Sequence, residues 1–303
     1  MKEKHKSKDK LIAVVGPTSS GKSDVAVLIA KKIGGEIISA DSRQVYKGMD
    51  IGTGKITKKE MAGVPHYLLD VANPKKIFTV ADYQKMARKA VEKILQKGKV
   101  PILCGGTGFY IRAIIDDLEI PDVPPNKKLR KELAGKNADE LFAILKKMDK
   151  RRAEKIDRHN PVRLIRAIEI AQALGKVPTL KNKAPKYEIL EIGLYPGDKI
   201  LKERINLRLL KRIKAGMIAE IKKLHKEGLS FARMKDMGLE YRYVARYLQG
   251  LINKEEMISE LNKEIEHYAK RQMTWFRKDK RVKWFKPNQI EKIIKTAEKF
   301  CRG

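Results

Sequence analysis

Apolar residues in this chain come first as short unbroken runs and later as helical stripes. Residues 11–15, LIAVV, form a continuous β-branched run, as expected of a strand buried on both faces. A loop rich in glycine and hydroxyl groups, GPTSSGKSD (16–24), follows, and VAVLIAKKI (25–33) then has the pattern of a helix. Gly34 and Gly35 stop it, and EIISAD (36–41) is a second short strand. In residues 79–97 the apolar positions take a helical period: Tyr83, Ala87, Ala90, Val91 and Ile94 share one face, Thr79 is placed to cap the first turn, and Gly98 ends the helix. VPILC (100–104) is a third buried strand that again runs into glycines, GGTGFY (105–110). Strands alternating with helices predict an α/β fold with a parallel sheet whose ligands gather at the strand C-terminal ends.

The pattern changes after Asp117. LEIPDVPPNKK (118–128) is a proline-rich boundary, and the chain from there to about residue 186 is helical and heavy in Lys and Arg. It includes a helix from about Val162 to Leu174, closed by Gly175 and Pro178. YEILEIGLYP (187–196) returns as one more strand. Residues 199–300 are mostly long basic helices: one over about 199–227, stopping at Gly228, and one over about 254–278, with Leu261, Ile265, Tyr268 and Trp275 on one face. The expected organisation is a basic lead-in (1–10), an α/β core (11–117 and 187–303) with a helix-rich C-terminal part, and a helical insertion domain (118–186).

Charge narrows the partner. Lys and Arg number 68 against 37 Asp and Glu, a formal net of +31. A Lys- and Glu-rich composition would raise both signs; the imbalance points to a polyanion, with nucleic acid the default. The apolar runs are far too short for a membrane span, and MKEKHKSKDK lacks the apolar stretch of a secretory signal. Two cysteines, Cys104 and Cys301, leave no disulfide framework or multi-cysteine zinc site, and fit a reduced cytoplasmic setting. A monomer is the default expectation.

Residues 16–23, GPTSSGKS, match GxxxxGKS between a strand and a helix. The glycines let consecutive backbone N–H groups wrap a phosphate, with Gly16, Pro17, Thr18, Ser19, Ser20, Gly21, Lys22 and Ser23 as the diphosphate-binding run, and the helix N-terminus adds positive potential. Lys22 reaches the terminal phosphate, and the Ser23 hydroxyl is the candidate ligand for Mg²⁺. The core is therefore expected to be a P-loop fold. A hydrolytic motor also needs an apolar strand ending in Asp to anchor its metal. VPILC ends in Cys-Gly-Gly instead; the strand that ends in a carboxylate is EIISAD, where Asp41 leads into Ser42, Arg43 and Gln44. That suits a general base facing an acceptor, in a transferase or kinase acting on a nucleic-acid-related molecule.

Six segments then resemble the tRNA dimethylallyltransferases, also called tRNA isopentenyltransferases, in order: GPTSSGKS (16–23), ISADSRQVYKGMDIGTGK (38–55), VPHYLLD (64–70), GGTGFY (105–110), NPVRLIRAIEI (160–170) and RQMTWFR (271–277). The resemblance spans about residues 11–285 and is of the bacterial type, since Cys301 has no paired ligands for the zinc finger common in eukaryotic members. It implies transfer of a dimethylallyl group from dimethylallyl diphosphate to N6 of adenosine 37, beside the tRNA anticodon, with release of diphosphate. It implies Asp41 as general base, with Lys22 and Thr107 also catalytic, and Arg208 as a diphosphate clamp. It places Asp41, Ser42, Arg43, Gln44, Thr107, Arg130 and the run Val162, Arg163, Leu164, Ile165 and Arg166 against tRNA, the last six within the insertion. An extruded base needs stacking partners, for which Tyr46 and Tyr110 are candidates. Competing expectations are an adenylate isopentenyltransferase acting on AMP or ATP, a small-molecule P-loop kinase, and a nonenzymatic RNA-binding protein gated by nucleotide.

Overall fold

The computed structural model of the chain describes residues 8–179 and 186–303. These form two compact units, one from residues 8–117 and 186–303, the other from 118–179. Most of the expected N-terminal lead-in, and residues 180–185 of the expected insertion, lie outside the described residues; Lys186, the insertion's expected last residue, belongs to the first unit.

The chain opens with β1 (Lys10–Val15), α1 (Lys22–Ile33), β2 (Glu36–Ser39), the single-turn α2 (Lys58–Met61), β3 (His66–Tyr67), α3 (Val80–Gln96), β4 (Pro101–Gly105) and α4 (Gly108–Ile115). The second unit holds α5 (Lys127–Leu133), α6 (Ala138–Met148), the short α7 (Lys150–Ala153) and α8 (Pro161–Leu174). The first unit resumes with β5 (Glu188–Leu194), α9 (Asp198–Lys214), α10 (Met217–Lys226), α11 (Phe231–Met237), α12 (Leu239–Leu248), α13 (Lys254–Arg277), β6 (Lys283–Phe285) and α14 (Ile290–Arg302).

All strands of the sheet run parallel, in the order β3-β2-β4-β1-β5-β6. β1 lies between β4 and β5, with Ala13 opposite Leu103 and Glu191. Its side chains alternate between two cores. Leu11, Ala13 and Val15 pack with Tyr83, Ala87 and Val91 of α3 and Ile111 of α4. Ile12 and Val14 pack with Val25 and Ile29 of α1 and Ile293 of α14. Both faces are covered by helices, which is why LIAVV has no polar position. A common strand direction delivers the loops after β1, β2 and β4 to one edge of the sheet.

The C-terminal helices build a third core from Leu201 and Ile205 of α9, Met217 and Ile221 of α10, Tyr241 of α12, and Leu261 and Ile265 of α13. Val45, Tyr46 and Met49, just past β2, are buried in it and anchor the segment that carries Asp41. Two expectations need correction. The helix expected over 199–227 is two helices, broken where Gly216 adopts φ +99°, a conformation a helix interior cannot accommodate. Trp275 does not share the buried stripe of α13, which runs through Met257, Leu261, Ile265, Ala269, Met273 and Phe276; its side chain is 44% exposed.

The second unit has its own core, from Leu129 and Leu133 of α5, Leu141 and Leu145 of α6, and Leu164, Ala167 and Ile168 of α8. Inside it the buried Glu169 carboxylate accepts hydrogen bonds from Arg130 Nε (2.6 Å) and Nη2 (2.9 Å), the Asn126 N–H (2.9 Å) and Arg166 Nη1 (3.1 Å). Burial works to raise its pKa, but these donors hold it below the usual carboxylate range.

Candidate active site

The loop after β1 turns at Gly16, whose φ of +152° and contact with the Leu194 carbonyl, 2.6 Å from where a Cβ would stand, admit only glycine. Ser19 (φ +61°) and Gly21 (φ +87°) curl the chain into α1, so that its first amides face outward as an anion cradle. Lys22 Nζ folds back to donate to the Pro17 carbonyl at 3.1 Å. Burial and then Arg208 push its pKa down, while Cys104 and Asp41 pull it up. An arriving anion would favour the charged ammonium further.

Thr18, Lys22 and Ser23 line a cleft together with Asp41, Arg43, Gln44, Cys104, Arg208, Arg212, Glu240, Tyr268 and Gln272. Its charged lining is four cations (Lys22, Arg43, Arg208, Arg212) against two carboxylates (Asp41, Glu240), a net positive charge suited to a diphosphate. Arg208 donates to the Gly54 carbonyl at 3.0 Å; Gly54 (φ +59°) is where the chain bends to let the guanidinium pass. Arg212 donates to the Gly52 carbonyl (2.9 Å) and pairs with Glu240 (2.7 Å). Burial and then Arg212 lower the Arg208 pKa, with Glu240 and Asp41 opposing. Cys104 forms part of the floor as a neutral thiol, its pKa pushed by burial to about 11.

Asp41 lies just beyond β2. Its Oδ1 accepts from the Arg43 N–H (2.8 Å) and the Gln44 N–H (3.2 Å), and Oδ2 takes no hydrogen bond among the described residues. The loops from β2 and β4 are tied together: Ser42 N–H donates to Thr107 Oγ1 at 3.0 Å, and Thr107 N–H to the Ala40 carbonyl at 3.1 Å. A carboxylate at one end of the cleft thus faces a phosphate cradle and a guanidinium, the layout for removing a proton from one substrate while stabilising an anion leaving another.

The family model described as IPP transferase matches residues 44–279. The chain is 46% identical to tRNA dimethylallyltransferase 2 of Treponema denticola, over 92% of this chain and 93% of that protein. It is 41% identical to tRNA dimethylallyltransferase of Carboxydothermus hydrogenoformans, over 96% of each. The crystal structure of the full-length tRNA isopentenylpyrophosphate transferase from Bacillus halodurans superposes with a TM-score of 0.74 at 36% identity, covering 97% of this chain and 99% of that one. The chain belongs to the tRNA dimethylallyltransferase family. Members of this family are prenyltransferases, and this chain is an enzyme of that class.

The sequence expectations for a tRNA dimethylallyltransferase place unevenly. Thr18, Lys22, Ser23, Asp41, Arg43, Gln44 and Arg208 converge on the cleft. Ser19 and Gly21 line a neighbouring groove that shares Lys22, Ser23 and Arg208. Gly16, Pro17 and Ser20 line neither: Pro17 is buried and has no N–H to give, and Ser20 is buried with its N–H donated to the Pro17 carbonyl at 3.3 Å. Thr107 is not in the lining either; its hydroxyl holds Ser42. In the second unit Val162 and Arg163 are exposed and Ile165 is half-buried, but Leu164 is fully buried in the core and has no face for RNA. Tyr46 and Tyr110 are buried too: the Tyr46 hydroxyl accepts from the Phe78 N–H (3.2 Å) and Arg233 (3.0 Å), and Tyr110 stacks on Tyr83 at 3.9 Å. Neither has a free ring face for a base.

Four residues escaped sequence reading. Arg212 and Glu240 form the ion pair in the cleft wall. Glu220 accepts from the N–H groups of Asp50 (3.0 Å), Ile51 (2.7 Å) and Gly52 (2.9 Å), fixing the loop that receives Arg208 and Arg212. Gln272 bridges two glycine-rich loops: its Oε1 accepts from the Thr18 N–H, and its Nε2 donates to the Gly106 carbonyl, both at 2.8 Å. The motif RQMTWFR contained Gln272, but nothing in its spacing says that the side chain reaches the phosphate loop.

Proposed function

We propose that this chain transfers the dimethylallyl group of dimethylallyl diphosphate to the exocyclic N6 of adenosine 37 in tRNA, releasing diphosphate. The observation that carries the reading is the convergence on one cleft of the phosphate loop, the Arg208 and Arg212 pair and the Asp41 carboxylate. As the allylic carbon–oxygen bond breaks, negative charge builds on the diphosphate, and the loop amides, Lys22 and Arg208 are already in place to receive it. The adenine amine attacks that carbon, and Asp41 Oδ2 accepts its proton while Oδ1 stays fixed by the two backbone N–H groups.

Mg²⁺ fits the donor set. Among the described residues no group of three or more His, Cys, Asp or Glu side chains is placed to hold an ion, and magnesium commonly takes one or two protein oxygens plus phosphate oxygens and water. Ser23 would be that protein ligand, and the bound ion would neutralise charge on the leaving diphosphate. The second unit, with Arg130, Val162, Arg163, Ile165 and Arg166, is assigned to grip the tRNA, helped by the +31 net charge. No helix among the described residues is long and apolar enough to cross a membrane. Cytoplasmic action as a monomer completes the proposal.

The test is to incubate the protein with labelled dimethylallyl diphosphate, Mg²⁺ and either unmodified tRNA, AMP or ATP. Label on tRNA is expected. Label on AMP or ATP alone would replace this reading with an adenylate prenyltransferase, and phosphate transfer from ATP to a small acceptor would replace it with a kinase.

A further inference from the structure

Trp275 is packed on one side and open on another. The pyrrole side of its indole lies against the backbone of Gly108, the first residue of α4 and the neighbour of Thr107. A Cβ on Gly108 would collide with the ring, so the approach requires glycine. Yet the Trp275 side chain is 44% exposed, and Phe109, next to Gly108, is 36% exposed. Along α13, Tyr268 and Gln272 line the cleft, and Trp275 follows Gln272 by one helical turn, just outside it. Arg271, at i−4 on α13, and Lys278, which caps the helix at i+3, are exposed beside Trp275; Arg271 is tethered by one Nη2 hydrogen bond to Glu264 at 2.8 Å.

A fixed aromatic ring with cationic neighbours is the surface that single-stranded nucleic acid uses: bases stack on the ring and phosphates meet the cations. The centre of a protein-binding patch would instead be depleted of charge. Moving the reacting adenine out of its stack also strips its neighbours of a stacking partner. We infer that Trp275 is the platform on which an unpaired base flanking the reacting adenine stacks, with Arg271 and Lys278 meeting the adjacent phosphates. This rests on the RNA-directed reading above and adds to it a residue that recognises the strand without taking part in the chemistry.

The chain has two tryptophans, and Trp284 supplies an internal reference. An unmodified anticodon stem-loop RNA is titrated into the wild-type enzyme without donor, following tryptophan emission. Quenching is expected in the wild type and is lost in Trp275→Phe, which keeps Trp284 and an aromatic ring. In transfer assays Trp275→Ala should raise the RNA KM at least about fivefold, the lower end of what one stacked base contributes. Trp275→Phe should recover most of that, and the donor KM should stay unchanged in both. An unquenched wild type at saturating RNA, or an RNA KM for Trp275→Ala within twofold of wild type, overturns the platform while leaving tRNA prenylation standing. A wild type that neither binds nor prenylates RNA overturns both.

Discussion

Replacing Gln272 with alanine removes the bridge between the loops that follow β1 and β4. Two hydrogen bonds of 2.8 Å are lost, one to the Thr18 N–H and one from the buried amide to the Gly106 carbonyl. The Thr18 N–H opens onto the cleft, where water replaces its partner; the Gly106 carbonyl is buried and stays unsatisfied. At about 1 kcal/mol for the first and about 1–3 kcal/mol for the second, the loss is roughly 2–4 kcal/mol. That corresponds to a fall in Tm of roughly 3–6 °C. Function should suffer more than stability, because a loop displaced by about 1 Å costs on the order of 100-fold in rate. Gln272→Glu separates the two effects. It keeps the volume and the acceptor for Thr18 but sets a carboxylate oxygen against the Gly106 carbonyl and adds negative charge beside the phosphate loop. Initial rates with the donor titrated at saturating tRNA, measured well below each variant's Tm, should show kcat/KM lowered about 100-fold in both. A Gln272→Ala enzyme within threefold of wild type at that temperature would refute the clamp and leave Gln272 a packing residue.

Asp41→Asn keeps an oxygen for the Arg43 and Gln44 amides but cannot take a proton; kcat should fall about 10²- to 10⁴-fold with the tRNA KM unchanged, and a loss under tenfold in single-turnover assays would remove Asp41 as base. Arg208→Lys loses the planar fork that reaches the Gly54 carbonyl and should raise the donor KM tenfold or more in a donor titration. Buried Glu191 on β5 has its pKa pushed up to about 7, first by burial and then by Asp279 and Asp116, against the pull of Arg281 and Arg112. The folded state therefore keeps a proton that the unfolded chain releases between about pH 4.5 and 7, so stability should fall by about 3 kcal/mol as pH rises through that window and level off above it; denaturant titrations should show this slope missing in Glu191→Gln. The logarithm of the tRNA binding constant should fall steeply and linearly with the logarithm of salt concentration in filter binding, and a flat response would contradict a phosphate-gripping role for the basic surface.

The sheet could be read in advance because its strands are buried on both faces, so LIAVV and VPILC carry no polar interruption; the start of α3 was legible from Thr79, whose capping box the structure completes with Asp82. The phosphate loop was legible for the same local reason: glycine spacing encodes a backbone path. β3 and β6 were missed since two or three residues show no period. Gly216 lies in an apolar-periodic stretch, and only its positive φ shows that the helix ends there. Gln272, Glu220 and Arg212 were invisible as site residues because their partners lie far away in sequence, and each reads locally as an ordinary polar helix position. Leu164, Tyr46 and Tyr110 failed in the opposite sense: a motif match places a residue in a segment but does not say which way its side chain faces.

The Thr18–Gln272 bond spans 254 positions of the chain. A ribosome making this protein finishes the glycine loop near the start of its work and the glutamine that steadies it near the end. Until then the nascent chain displays the signature of a phosphate site without the means to hold its shape. A premature stop between the end of that loop, Ser23, and codon 272 would yield a fragment that still carries the phosphate-binding signature and has no transferase activity.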